Sequence, residues 1–466
     1  MGTPRVIGPV TGGLGRPTIV ATSLDLASRG YEQVEYFVTG TARSFSAEGP
    51  LGIDGRWRAA PAASAPYMTR VLVHRPIARA SGSRTAIVEW LNVSAGFDTA
   101  PDWLAAHNVM MREGFVWIGV SAQADGVQGS GAAVGGLASG GLRAADPERY
   151  EPLRHPGDSF SYDIYSQVGA LARGTGPDDL AGGSPVDTVV AIGESQSAFR
   201  LVTYVNAVHP TARIYDGFLV HSRGGAAAAL SQAPEPELLA PEGALVRTDL
   251  EEPALLFQTE TDFTRLGYAA ARQPDAARLR VWEVAGTAHA DAYTAGIGFD
   301  DVGDGRAEEK LLDVGSIDGG PLGCAAPVNA GPAYAVLQAA LLGLARWSSG
   351  GAPPAAAAHL ELDAADPVSI ARDEHGNARG GIRTPFVDVP IAALRGDGND
   401  AESFCRLFGT TRPFDALELA ALYADHDDYV ARFERSTAAA LDAGFLLPEE
   451  AANLDRAAAA SGVLRA

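Results

Sequence analysis

Gly193-Glu194-Ser195-Gln196-Ser197 sets a serine between small residues two places before it and two places after. The preceding run, Thr188 to Gly193, is short and apolar in the manner of a buried strand, and helix-compatible sequence follows. A serine on a tight strand-to-helix turn is lifted clear of the chain so that its hydroxyl can attack, and only small neighbours fit such a turn. The pattern is G-x-S-x-S rather than G-x-S-x-G, but Ser197 is still small. A hydroxyl is a poor nucleophile until a base removes its proton, so a histidine and an orienting acid are expected further along.

Chain order Ser, acid, His calls for a histidine in a loop after the last core strand. His289 fits, in Gly286-Thr287-Ala288-His289-Ala290-Asp291 directly after the strand-like Arg278 to Val284. The acid belongs after the strand before that one, Ala254 to Thr259, where Glu260 and Asp262 both stand. Asp262 is favoured because the acid is commonly carried on the far side of the turn; Glu260 is the alternative. An oxyanion needs preorganised donors. One is expected from the N–H of Gln196, and the other from the loop Asn92-Val93-Ser94-Ala95-Gly96, with Val93 first and Ser94 next. Ser94 and His221 are also candidates for contact with substrate, although core packing or capping is the plainer role for His221. Trp90, Trp103 and Trp117 read as core aromatics.

The elements that must position these groups follow from periodicity. Tyr31 to Val38 and Met68 to Pro76 predict strands in an N-terminal segment, residues 1–84. From Thr85 the chain alternates short apolar runs with helical stretches. Thr85 to Asn92, Pro101 to Glu113 and Phe115 to Val120 make a βαβ unit, which implies a parallel sheet buried on both faces. The core is expected over 85–350, with insertions at 121–158 and 222–250 that could act as lid or cap, and with a closing helix from Gly331 to Trp347. Past Gly350, Pro353-Pro354 and an alanine run precede a C-terminal addition, 351–466, with helical periodicity at Ala416 to Tyr423 and Tyr429 to Ala443.

Composition narrows the classes. The 466 residues are 46% hydrophobic with a formal net charge of −21. An acidic surface repels phosphate backbones and anionic lipid, so neither nucleic acid nor membrane is expected as partner. No apolar run reaches the roughly 18 residues of a membrane span, and the start, Met1-Gly2-Thr3-Pro4-Arg5, has no signal-peptide pattern. The expected location is cytoplasmic, or secreted if a signal segment has been removed. Cys324 and Cys405 are the two cysteines, open between one bridge and two buried thiols. No Cys/His cluster at zinc spacing and no phosphate-cradling or dinucleotide fingerprint occurs, so neither metal nor cofactor is expected.

Taken together, the chain resembles the α/β-hydrolase superfamily, and more narrowly the bacterial and fungal proteins catalogued as alpha/beta hydrolase domain-containing proteins. The likeness rests on Gly30-Tyr31 with Glu35-Tyr36-Phe37, Glu89-Trp90-Leu91-Asn92-Val93-Ser94 and Pro156-Gly157-Asp158-Ser159-Phe160-Ser161-Tyr162-Asp163. It continues through the Ser195 motif, Gln258-Thr259-Glu260-Thr261-Asp262 and the His289 motif, and reaches Gly376-Asn377-Ala378-Arg379-Gly380-Gly381-Ile382-Arg383-Thr384-Pro385 and Phe404-Cys405. The resemblance implies a serine hydrolase, leaves its substrate open, and places 351–466 in the same structural unit; the substrate expected for the triad is a small-molecule carboxylic ester or lactone. An acyltransferase would use the same groups. A binding protein on this scaffold, or a metal-dependent hydrolase, fits the residues less well.

Overall fold

The computed structural model describes residues 4–78, 83–129, 140–174, 178–183, 185–365, 367–399 and 403–465. Among these residues nine strands form one sheet: β1 (Arg5–Ile7), β2 (Tyr31–Ala47), β3 (Ala59–Pro76), β4 (Thr85–Trp90), β5 (Val116–Val120), β6 (Thr188–Glu194), β7 (Gly217–His221), β8 (Ala254–Thr259) and β9 (Leu279–Val284). Their order is β1-β2-β3-β5-β4-β6-β7-β8-β9. The pairs from β5 through β4, β6, β7 and β8 to β9 are parallel, and β1 to β3 join antiparallel at one side. Strands β4 to β8 are almost wholly buried, as continuous apolar runs covered on both faces must be.

Alternation along each strand divides the interior in two. Ile87, Val190, Ile192, Leu219 and Phe257 face the helices Pro101–Arg112 and Ala333–Ser348. Val88, Val189, Ala191, Val220 and Leu256 face Ser161–Ala172 and Gln196–Thr203. The N-terminal strands run well beyond the expected Tyr31–Val38 and Met68–Pro76. β2 and β3 stay paired from Tyr31↔Pro76 to Ala47↔Ala59. Alanine, serine and proline fill 59–66, so strand propensity gives little warning there. β3 meets β5 only over Val71–His74. The far half is therefore two-stranded, a setting that tolerates Pro61 and Pro66. It leans on helix Ser161–Ala172 through an Arg43–Asp163 ion pair of 2.7 Å and a Tyr67–Gln167 hydrogen bond of 2.9 Å.

The stretch 121–158 holds short helices at Ala124–Gln128, Gly141–Ala145 and Pro147–Tyr150, while its 130–139 lies outside the described residues. The stretch 222–250 carries no helix or strand, yet Leu230, Ala244 and Val246 are buried in the second core. Beyond Gly350 the chain returns to the sheet. Ile382 bridges to Val284, and Phe386, Val389, Leu394, Tyr429, Phe433 and Leu454 join the first core. Helices form at Ala416–Leu422, His426–Asp442 and Pro448–Ala460. Cys324 and Cys405 are bridged. Among the described residues no helix is long and apolar enough to cross a membrane.

Candidate active site

β6 delivers Ser195 at its carboxyl end, and helix Gln196–Thr203 starts at the next residue. Ser195 has φ 57° and ψ −121°, a backbone conformation that non-glycine residues rarely adopt and that marks a strained turn. The need for small residues on either side is visible in the packing. A Cβ on Gly193 would sit 3.1 Å from the Ser197 carbonyl oxygen and 3.2 Å from its Cβ. The Ser195 N–H donates to the His221 carbonyl at 3.0 Å, which ties the turn to β7.

His289 comes from the loop after β9. Its Nε2 lies 2.8 Å from Ser195 Oγ and its Nδ1 lies 2.8 Å from Asp262 Oδ1. Asp262 stands in the short helix Glu260–Thr264 that follows β8, and its Oδ2 accepts from the Thr259 N–H at 2.7 Å. The Gln258 amide group, turned to suit its neighbours, donates to the same oxygen at 3.1 Å. Burial alone lowers the His289 imidazole. The Glu194 carboxylate and the Asp262 hydrogen bond outweigh it, and the imidazole ends above its ordinary value.

Glu260, the alternative acid, points elsewhere. Its carboxylate accepts from the N–H of Gly286 at 2.7 Å and of Gly396 at 3.1 Å, and lies 2.7 Å from Arg372 Nη1. It binds the start of the histidine loop to the C-terminal segment. A Cβ on Gly396 would lie 2.5 Å from the Glu260 Cβ, so only glycine admits this approach. The Thr261 hydroxyl donates to the Gly396 carbonyl at 2.7 Å and accepts from the His289 N–H at 3.1 Å. The Ala290 N–H donates to Leu407, two residues beyond the bridged Cys405. Both loops that carry His289 and Asp262 therefore rest on residues past 370.

The loop after β4 is closed by Asn92 and Thr99, whose backbones exchange hydrogen bonds of 3.0 and 2.8 Å. The Ser94 N–H donates to the Asn92 Oδ1 at 2.7 Å and is thereby committed. The Val93 N–H meets no acceptor among the described residues. Gln196 is the first residue of its helix, where the N–H has no intrahelical partner.

Two further groups meet here. His221, at the end of β7, pairs through Nδ1 with Asp102 Oδ1 at 2.8 Å, at the start of helix Pro101–Arg112. Burial lowers this imidazole too, but the Asp102 hydrogen bond and charge leave it raised. Glu194, just before the serine, has Oε1 3.1 Å from His289 Nε2 and accepts at Oε2 from Asn92 Nδ2 at 3.0 Å. Burial pushes its carboxyl up to about 7. Spacing did not single out Glu194, because it occupies the unspecified place in G-x-S-x-S, nor Asp102, which reads as an ordinary first-turn helix charge. Among the described residues no group of three or more His, Cys, Asp or Glu side chains has the arrangement of a metal site.

The chain belongs to the alpha/beta hydrolase domain family, whose model matches residues 6–456. Solved structures with a similar chain path include a dienelactone hydrolase, itself described as putative, from Klebsiella pneumoniae subsp. pneumoniae MGH 78578. It is 12% identical, with 53% of this chain and 85% of that one covered, at a TM-score of 0.26. A serine hydrolase without lid from Xanthomonas campestris is 11% identical over 52% and 83%, at 0.25. A thermostable esterase from Pseudomonas putida is 13% identical over 56% and 75%, at 0.25. No curated protein matches the sequence.

Proposed function

We propose that this chain is a serine hydrolase that cleaves a carboxylic ester or lactone through an acyl-enzyme on Ser195. The observation that carries the reading is the run of two 2.8 Å contacts, Ser195 Oγ to His289 Nε2 and His289 Nδ1 to Asp262 Oδ1, on a serine held at φ 57°. His289 takes the hydroxyl proton as Oγ attacks the acyl carbon, and Asp262 holds the imidazole in the tautomer that leaves Nε2 free to accept it. The N–H groups of Gln196 and Val93 receive the oxyanion. The proton on Nε2 passes to the departing alcohol, and water then resolves the acyl-enzyme by the same path. Ser94 and His221 contact the substrate, which is a small molecule. Residues 351–466 belong to the catalytic unit, since Gly396, Leu407 and Arg372 hold the acid and histidine loops.

The test combines two readouts on wild type and Ser195→Ala: hydrolysis of p-nitrophenyl acyl esters, and mass mapping of a fluorophosphonate adduct. The proposal predicts turnover and a single adduct at Ser195, both lost in the variant. Turnover that survives in Ser195→Ala, or an adduct at another residue, would overturn it.

A further inference from the structure

His289 Nε2 has two oxygens beside it. Ser195 Oγ lies at 2.8 Å and Glu194 Oε1 at 3.1 Å. With Nδ1–H directed at Asp262, the neutral imidazole presents a lone pair at Nε2. A hydroxyl suits that lone pair, whereas an ionised carboxylate repels it and attracts a protonated Nε2 instead.

Glu194 cannot easily turn away. It is the last residue of β6, its side chain is about one-tenth exposed, and Asn92 Nδ2 donates to both its Oε2 at 3.0 Å and its carbonyl at 3.2 Å. Asn92 follows β4 on one side of it, and His221 is its register partner in β7 on the other. The charged and titratable groups around it are His289 from the loop after β9, His221 from β7, Asp102 from helix Pro101–Arg112, and Asp262 from the turn after β8. The two imidazoles favour its ionised form and the two aspartates oppose it.

Resting on the reading of Ser195 as nucleophile and His289 as base, we infer that Glu194 is a positioning residue whose charge beside Nε2 of His289 sets the pH at which this nitrogen becomes free to accept the serine proton. The proton path balances without another reactant. Below the transition His289 Nε2 keeps its proton, held by the nearby Glu194 charge, and the serine cannot hand over its own. Above it that proton has gone to water, and Ser195 Oγ–H donates to the exposed lone pair. As Oγ bonds to the acyl carbon, its proton moves to Nε2, and the imidazolium then stands between two carboxylates, Asp262 and Glu194. An ionised Glu194 therefore delays the onset of activity to higher pH and favours the charged imidazole once catalysis begins. Burial pushes the Glu194 carboxyl up to about 7, so its charge develops in the neutral range.

A purely structural Glu194, present to tie β4 to β6 through Asn92, would not move a pH profile. The experiment measures the rate of Ser195 modification by a fluorophosphonate from pH 5 to 10 in wild type and Glu194→Gln, which keeps the shape and can still accept from Asn92. The expected result is an acid limb displaced to lower pH by about one unit, with a plateau about tenfold lower. If Glu194→Gln does not fold, Glu194→Asp carries the test, since it withdraws the charge by one methylene and should displace the limb in the same direction by less. A limb that coincides with wild type in the folded variant overturns the inference, whatever happens to the plateau. Failure of the wild type to label at Ser195 at any pH overturns the hydrolase reading, and this inference with it, so the two failures are distinguishable.

Discussion

Two of the imidazole–carboxylate pairs among the described residues flank Glu194 at the end of β6, and by their own geometry they are alike. His289 with Asp262 and His221 with Asp102 each join Nδ1 to a carboxylate oxygen at 2.8 Å, and both imidazoles are raised. What separates them is the far nitrogen. His289 Nε2 faces Ser195 Oγ and Glu194, whereas His221 Nε2 meets no hydrogen-bond partner among the described residues. Their footing differs as well. His221 belongs to β7 itself, while His289 rides on a loop braced by Thr261, Leu407 and the Glu260–Gly286 contact. An imidazole held by a carboxylate thus recurs as a structural unit, and on the proposed reading it serves as a base where a strained turn sets a hydroxyl against its free nitrogen.

The widest separation of the two pairs should come from deleting their acids and bases. His289→Ala or Asp262→Asn is expected to lower kcat for ester hydrolysis by about 10⁴. His221→Ala should act mainly on KM, with kcat falling by less than about tenfold. Comparable losses of kcat from both histidines would break the distinction.

The second contrast lies between two acids only two residues apart. Glu260→Gln removes the charge that faces Arg372 and binds Gly286 and Gly396, so a stability loss of about 3 kcal/mol is expected from chemical denaturation. The pH profile of the remaining activity should keep its shape. Replacing both cysteines by serine reopens the loop between Cys324 and Cys405 and should cost about 2–4 kcal/mol. It also loosens the segment that accepts from Ala290.

The smallest effect is a pH-dependent stability from the second pair. The folded-state value of His221 lies above its unfolded one, so the pair's contribution is fully present below about pH 6.5 and fades as pH rises through the raised value. The stability difference between wild type and His221→Gln should therefore be larger at pH 5 than at pH 9. An equal difference at both would mean that the Asp102 contact adds packing alone.

Much of this architecture is legible in the sequence, because buried parallel strands leave continuous apolar runs and the tight turn at Ser195 demands small residues at fixed offsets. Ser195, His289 and Asp262 are nominated by order and spacing, and the fold brings them within hydrogen-bonding distance. Position on the turn favours Asp262 but leaves Glu260 open until the fold sends Glu260 toward Gly396, a contact across more than 130 residues that no local pattern encodes. Ser94 stands close behind Val93 until the Asn92 side chain takes its N–H. Glu194 is hidden for the opposite reason, since its position beside the serine is fixed by the motif while its residue type is not. The long β2–β3 ribbon escapes periodicity because 59–66 is built from alanine, serine and proline.

The most direct test of the central claim is the rate of fluorophosphonate modification at Ser195 in wild type, His289→Ala and His221→Ala, read by peptide mapping. The account predicts rapid labelling of Ser195 in wild type, near-complete loss in His289→Ala and retention in His221→Ala. Undiminished labelling in His289→Ala, or its loss in His221→Ala alone, would contradict the assignment of the base.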